Sequence, residues 1–323
     1  IEGFFPIHQL FIKIFYLMTN DKILSLKLFN SFFFLIFLIV LRNCNKIPIL
    51  ILILLLCSHP ILTNYSIISR HYVALLPSIS YLIFYENKSK QYENLNISFL
   101  ILTGTFGIII SGCYVLINFK RFYFNLINLK ENKYLLVVLS TLLISLFFVL
   151  PFVDRDWNTL VLRDFDQSIK LIYSILYSIN FLHPIDRIDS IWHELQVYYK
   201  HNYIINLYNG LYLLTVCSFL IFNKKFSDFA FFFLISFSLT SFFLIIALTG
   251  YRHYFFISVI LNFILIKIFF IDNIERSFFK NKINFFVFLF FTTTLVTNAI
   301  FSISYFYKEI RYNFSNGILV AKY

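Results

Sequence analysis

The tripeptide Arg-His-Tyr occurs twice, at Arg70-His71-Tyr72 and at Arg252-His253-Tyr254, and each copy runs straight into an apolar stretch. An arginine presents a planar fork of donors that holds two oxygens of a phosphate at once. The imidazole and the phenol beside it add further hydrogen-bonding groups. Two such clusters could be the halves of one site. A plainer role competes, because Arg and Tyr at a membrane interface commonly anchor a helix by snorkelling. Asp154 and Asp156, just after Pro151, could hold an acceptor or a metal, although a solvated loop start is the ordinary role of such a pair. His183, His193 and Glu194 echo a metal site, but the Trp-His-Glu-Leu stretch lacks a second histidine four residues on. No metal ligand set is assigned, and dependence on a divalent metal stays open.

These residues need a scaffold, and composition says which. The chain of 323 residues is 59% hydrophobic and only 13% charged, with a mean hydropathy of +0.78. Soluble domains carry about 25% charged residues. Runs such as 32–41, 134–149, 231–248 and 285–300 are almost free of charge and show no two-residue alternation, so helices rather than barrel strands are expected. The expected fold class is therefore all-α: a polytopic integral membrane protein of about ten transmembrane helices with external juxtamembrane helices. The spans fall near 23–41, 47–63, 70–86, 97–111, 112–128, 134–152, 203–222, 228–249, 252–271 and 284–305.

The net charge of +11 reflects basic loops rather than a nucleic-acid surface. Loops holding Arg42 and Lys46, Lys88 and Lys90, Lys130 and Lys133, Lys224 and Lys225, and Arg276, Lys280 and Lys282 then share the cytoplasmic side. On the opposite face lie 1–22, a long loop at 153–202 with one interfacial helix, and the C-terminal tail; 1–323 forms a single transmembrane domain. Both Arg-His-Tyr copies sit at the outer entrance of a descending helix. Segment 97–128 must double back, with its turn expected near Ser111-Gly112, and it carries Lys120 and Arg121 in its second half. Cys44, Cys57, Cys113 and Cys217 have no paired spacing, so no disulfide or metal framework follows. The chain opens on Ile1 and its only methionine is Met18, so an upstream segment is expected to be missing.

The N-terminal stretch Pro6-Ile7-His8-Gln9-Leu10, the turn Thr19-Asn20-Asp21-Lys22 and the entry Ser25-Leu26-Lys27-Leu28 resemble a pattern in bacterial GT-C glycosyltransferases. The group is that of the protein-mannosyltransferase-like and aminoarabinose-transferase-like enzymes. In that pattern a His-Pro-Pro-Leu-Tyr-Tyr type start opens an amphipathic helix on the outer membrane surface. The stretch from Asn64 to Leu76 is similar to the family's Ser-x-x-x-Arg-x-Tyr-x-Leu-Leu entry, with Arg70 and Tyr72 in the matching places. The Leu-Pro close before the central external loop matches Leu150-Pro151, and the late Arg-Tyr motif lies near Arg252 and Tyr254. Here Phe5-Pro6 stands for His-Pro-Pro, and Lys27 for the usual entry arginine.

The resemblance implies an inverting transferase that moves a sugar from a polyprenyl-phosphate carrier to an acceptor glycan, lipid or protein. The reaction would take place on the external, periplasmic face of a bacterial inner membrane. Arg70, Tyr72, Arg252, His253, Tyr254 and His8 would meet the lipid-linked donor, and Asp154 and Asp156 the acceptor. The family's catalytic acidic pair lies in its first external loop, upstream of the residues seen here, and Glu2 is its candidate remnant. Two other classes compete. A polysaccharide polymerase of O-antigen type would rely on the loop arginines Arg155, Arg163 and Arg187. A transporter or flippase would place ionisable groups at the bilayer midplane, whereas charges here cluster at span ends.

Overall fold

The computed structural model describes residues 6–44, 46–58, 61–62, 71–85, 90–127, 133–149, 203–245, 255–272 and 282–312. Among these the chain is helical and contains no strand. Three helical stretches are long and apolar enough to cross a membrane, Lys22–Arg42, Ile204–Phe222 and Lys282–Ser304. The chain divides into two compact units: 1–44, 69–162 and 226–247 form the first, and 45–68, 163–225 and 248–323 form the second.

In the first unit, α1 (Pro6–Thr19) and α2 (Lys22–Arg42) are separated by a two-residue turn. Asn20 takes the left-handed conformation (φ 53) that asparagine tolerates. The Asp21 carboxylate caps α2 by accepting from the backbone N–H of Ile23 at 2.7 Å and Leu24 at 3.1 Å. The Phe11 ring touches Phe29, Phe32 and Phe33, while His8 reaches Phe29 and Phe15 reaches Phe32. At the turn itself the Thr19 and Ser25 hydroxyls meet at 3.1 Å. At 3.6 residues per turn, α1 has three faces. His8, Phe11, Ile12 and Phe15 meet the protein, Gln9, Lys13 and Tyr16 form a polar outer face, and Leu10, Ile14, Leu17 and Met18 form an exposed apolar one. That division suits a helix lying in a membrane interface.

The turn His71–Ala74 leads into α4 (Leu75–Phe84), which follows α3 (Ile49–Leu56) of the second unit in the chain. Next come α5 (Lys90–Thr103), α6 (Thr105–Ile117), α7 (Phe119–Ile127) and α8 (Lys133–Val149). The reversal between α5 and α6 falls at Gly104, not at Ser111-Gly112 as the sequence suggested. Gly104 has φ 150 and ψ −179, a conformation essentially closed to residues with a Cβ. Gly112 lies inside α6, where a Cβ would meet nothing within 4 Å. The helices pair antiparallel: Glu93 meets Tyr114 and Leu100 meets Gly107, so both ends of the hairpin lie on one side. Its arms are roughly 21 and 20 Å long at about 1.5 Å per residue, short of the ~30 Å hydrocarbon core. On the outer side of α5, the Ser145 hydroxyl of α8 donates to the Ile101 carbonyl at 3.1 Å.

The chain continues through α9 (Tyr203–Phe222), α10 (Phe226–Ile245), α11 (Phe255–Ile266) and α12 (Lys282–Tyr312). Of these, α10 belongs to the first unit and packs on α6, with Phe231 edge-on to Tyr114. In the second unit, α9 and α12 run antiparallel, because Tyr208 meets Thr294 while Asn223 meets Asn284. The last turn of α11 widens into a π-helix, Lys267–Ile271. There the Phe269 ring sits against Phe219, Phe288 and Phe291. Two lysines close this end: Lys46 donates to the Ile271 carbonyl at 3.0 Å, and Lys225 pairs with Asp272 at 2.5 Å.

Tyr212 on α9 is fully buried edge-on to Phe290, and its hydroxyl has no hydrogen-bond partner among the described residues. A buried hydroxyl without a partner lowers stability. Tyr212→Phe is therefore expected to leave stability unchanged or raise it by up to ~1–2 kcal/mol. Thermal unfolding of the purified protein in detergent reads this directly.

Candidate functional site

Two sequence-selected residues are described, and both lie in the first unit. Tyr72 is 4% exposed, in the turn that enters α4, with its ring edge-on to Phe106 at 5.6 Å. His8 is half-buried near the start of α1, edge-on to Phe29 at 4.9 Å. Their chain neighbours join in one buried cluster of Ile7, Phe29, Phe33, Val73 and Ala74. The opening of α1 and the mouth of α4 are thus brought together, although more than sixty residues part them in sequence. Glu2, Arg70, Arg252, His253, Tyr254, Asp154 and Asp156 lie outside the described residues, as do the loop 153–202 and its His183, His193 and Glu194.

The helices that follow the two Arg-His-Tyr copies share a property. In α4 every residue except Tyr81 is buried. From Phe256 to Phe270, through α11 and its π turn, every residue except Lys267 is buried. The spans α2, α9 and α12 instead expose large apolar side chains, such as Leu35, Leu207 and Leu289. Neither α4 nor α11 shows such an apolar exposed face among the described residues. Buried polar side chains do not separate the two groups: Ser78 and Ser80 lie on α4, Ser258 and Asn262 on α11, but Asn30 on α2, Asn209 on α9 and Asn298 on α12 are buried too.

A second cluster escaped the sequence reading. At the open end of the α5–α6 hairpin the Glu93 carboxylate, 8% exposed as a residue, accepts from the Tyr114 hydroxyl at 2.6 Å. Arg121 of α7 donates to the same carboxylate oxygen and, at 3.2 Å, to the Tyr114 hydroxyl. Its guanidinium also lies 5.5 Å from the Phe122 ring centroid and 6.0 Å from that of Tyr114. The charge is thereby paired, hydrogen-bonded and covered by aromatic faces, which is how a buried ion pair offsets its desolvation cost. The only signal in the sequence was two basic residues, Lys120 and Arg121, within an expected span.

Among the described residues no group of three or more His, Cys, Asp or Glu side chains comes close enough to hold a metal ion. No family model matches the chain, and no curated protein or solved structure matches it either.

Proposed function

We propose that the chain is a membrane glycosyltransferase of GT-C type, using a polyprenyl-phosphate sugar as donor and working on the non-cytoplasmic face of a bacterial inner membrane. The observation that carries this reading is the burial of α4 and α11, the two helices entered through Arg-His-Tyr. Arginines at the mouths of lipid-facing helices would be anchors; at the mouths of enclosed helices they are better suited to a ligand. The close packing of the α1 opening against the turn after Arg70 adds support, because both segments carry the family resemblance.

About ten spans in the order expected from the basic loops would set both mouths at one external surface. The antiparallel α5–α6 hairpin returns the chain to the side it left, as two crossings would, with arms shorter than full spans. In the reaction a carboxylate takes the proton of the acceptor hydroxyl as its oxygen bonds to the anomeric carbon. The bond from that carbon to the carrier phosphate breaks, and the lipid phosphate leaves with the electron pair. The charge that develops on it calls for a cationic donor, for which Arg70 and Arg252 are each a candidate, with His253, Tyr254 and His8 as candidate further donors. Tyr72, packed against Phe106, lies in the turn His71–Ala74 that follows Arg70 in the chain. Asp154 and Asp156 would receive the acceptor, and Glu2 is the candidate acidic catalyst.

Arg70→Ala and Arg252→Ala are each expected to weaken binding of a polyprenyl-phosphate sugar by roughly 10–100-fold, the loss of a charge-assisted hydrogen bond. Equilibrium binding to the purified protein in detergent measures it, with melting temperature as the check on folding. Unchanged affinity in both well-folded variants would overturn the phosphate role. A loss on replacing Arg155, Arg163 or Arg187 instead would favour a polymerase.

A further inference from the structure

The basic residues Lys120 and Arg121 are neighbours in sequence with opposite fates in the structure. Arg121 turns inward onto Glu93, which neutralises it. Lys120 is exposed, as are Phe119 (54%) and Tyr123 (50%), whose rings stack at 5.8 Å. Leu116, near the end of α6, is exposed as well. Phe119 and Tyr123 thus expose apolar ring surface on the helix that also carries the exposed Lys120.

Water does not suit the stacked rings, and hydrocarbon does not suit the ammonium. The boundary between them suits both, because aromatic rings settle at headgroup level and a lysine reaches the phosphates. The chain already has helices fit to enter a membrane, and α7 follows one apolar helix, α6, at a single-residue break. The remaining residues of α7 are uncharged, and the segment after it adds Lys130 and Lys133 against Glu131. With Arg121 cancelled, the exposed charge on this helix is positive.

We propose that α7 lies in the membrane surface and binds anionic phospholipid headgroups, with Lys120 on the phosphate and Phe119 and Tyr123 in the interfacial layer. The ion pair to Glu93 holds the helix at that level. This surface stands independently of the transferase reading, which could fail without affecting it.

The test uses the full chain carrying Tyr123→Trp in nanodiscs of phosphatidylcholine with a minor fraction of brominated lipid. Emission of the unsubstituted protein, with its own two tryptophans, is subtracted. Brominated phosphatidylglycerol is expected to quench the introduced indole as if enriched roughly fivefold over equal brominated phosphatidylcholine, the effect of about one basic residue at an anionic surface. Lys120→Gln should abolish the difference and Lys120→Arg should keep it. Equal quenching by both lipids would overturn the headgroup preference. Absence of quenching by either would place α7 away from lipid and overturn the proposal entirely, as would displacement of phosphatidylglycerol by millimolar inorganic phosphate.

Discussion

Glu93→Gln is expected to destabilise the protein by about 3–5 kcal/mol, because it leaves the Arg121 guanidinium without its counter-charge in a largely buried position. Arg121→Met should cost a similar amount by stranding the carboxylate, which Tyr114 alone cannot neutralise. The double replacement should recover most of the loss, since a buried pair exchanged for groups of similar volume is often near neutral. Denaturant unfolding of the four proteins in one detergent closes the cycle. Additive losses would mean that the two side chains act separately and that the hairpin end is not held by their contact. Tyr114→Phe sits between these cases: it removes a donor yet leaves the charges paired, so about 1–2 kcal/mol is expected.

Gly107→Ala should be nearly as damaging. A Cβ at that position would stand 1.9 Å from the Leu100 carbonyl oxygen and 2.7 Å from the Thr103 hydroxyl oxygen. The hydroxyl can rotate away, but the carbonyl belongs to the backbone of α5. The arms of the hairpin must therefore part near its turn, and overpacking of this kind costs about 1–3 kcal/mol or more. Gly112→Ala makes the matched control, because it lies on the same helix with open space around it. That change should be neutral or gain up to ~1 kcal/mol from helix propensity. Melting temperatures of the two variants should move apart. If Gly107→Ala melts with the native protein, the close approach of α5 and α6 is not real.

Much of the helical layout was legible because long charge-free runs leave few alternatives. The span expected at 203–222 is α9 to the residue, and 23–41 lies within α2. The turn at Thr19-Asn20-Asp21 was also visible, since asparagine and aspartate carry local signals for reversal and capping. Segment 97–128 was not legible in the same way. Three glycines, Gly104, Gly107 and Gly112, looked alike in sequence, yet one makes the turn, one permits a close crossing and one does neither. Their roles are decided by what stands opposite them. The start of α5 was set seven residues late because Lys90, Gln91, Glu93 and Asn94 are polar, and nothing local says that Arg121 will satisfy Glu93. For the candidate site, sequence found the two Arg-His-Tyr copies, but whether a helix is enclosed or faces lipid is a property of its neighbours. The apolar composition of α4 and α11 resembles that of α9 and α12; only packing separates them.

The Glu93–Arg121 pair also has a consequence for how the protein is made. The two residues are 28 positions apart, so the carboxylate leaves the ribosome well before its partner exists. At about 5–20 residues per second the wait is roughly one to six seconds. Through that interval α5 carries an unmatched charge at its end and is a poor candidate for stepwise release into lipid. The open end of the hairpin is therefore expected to close only after α6 and α7 have been made.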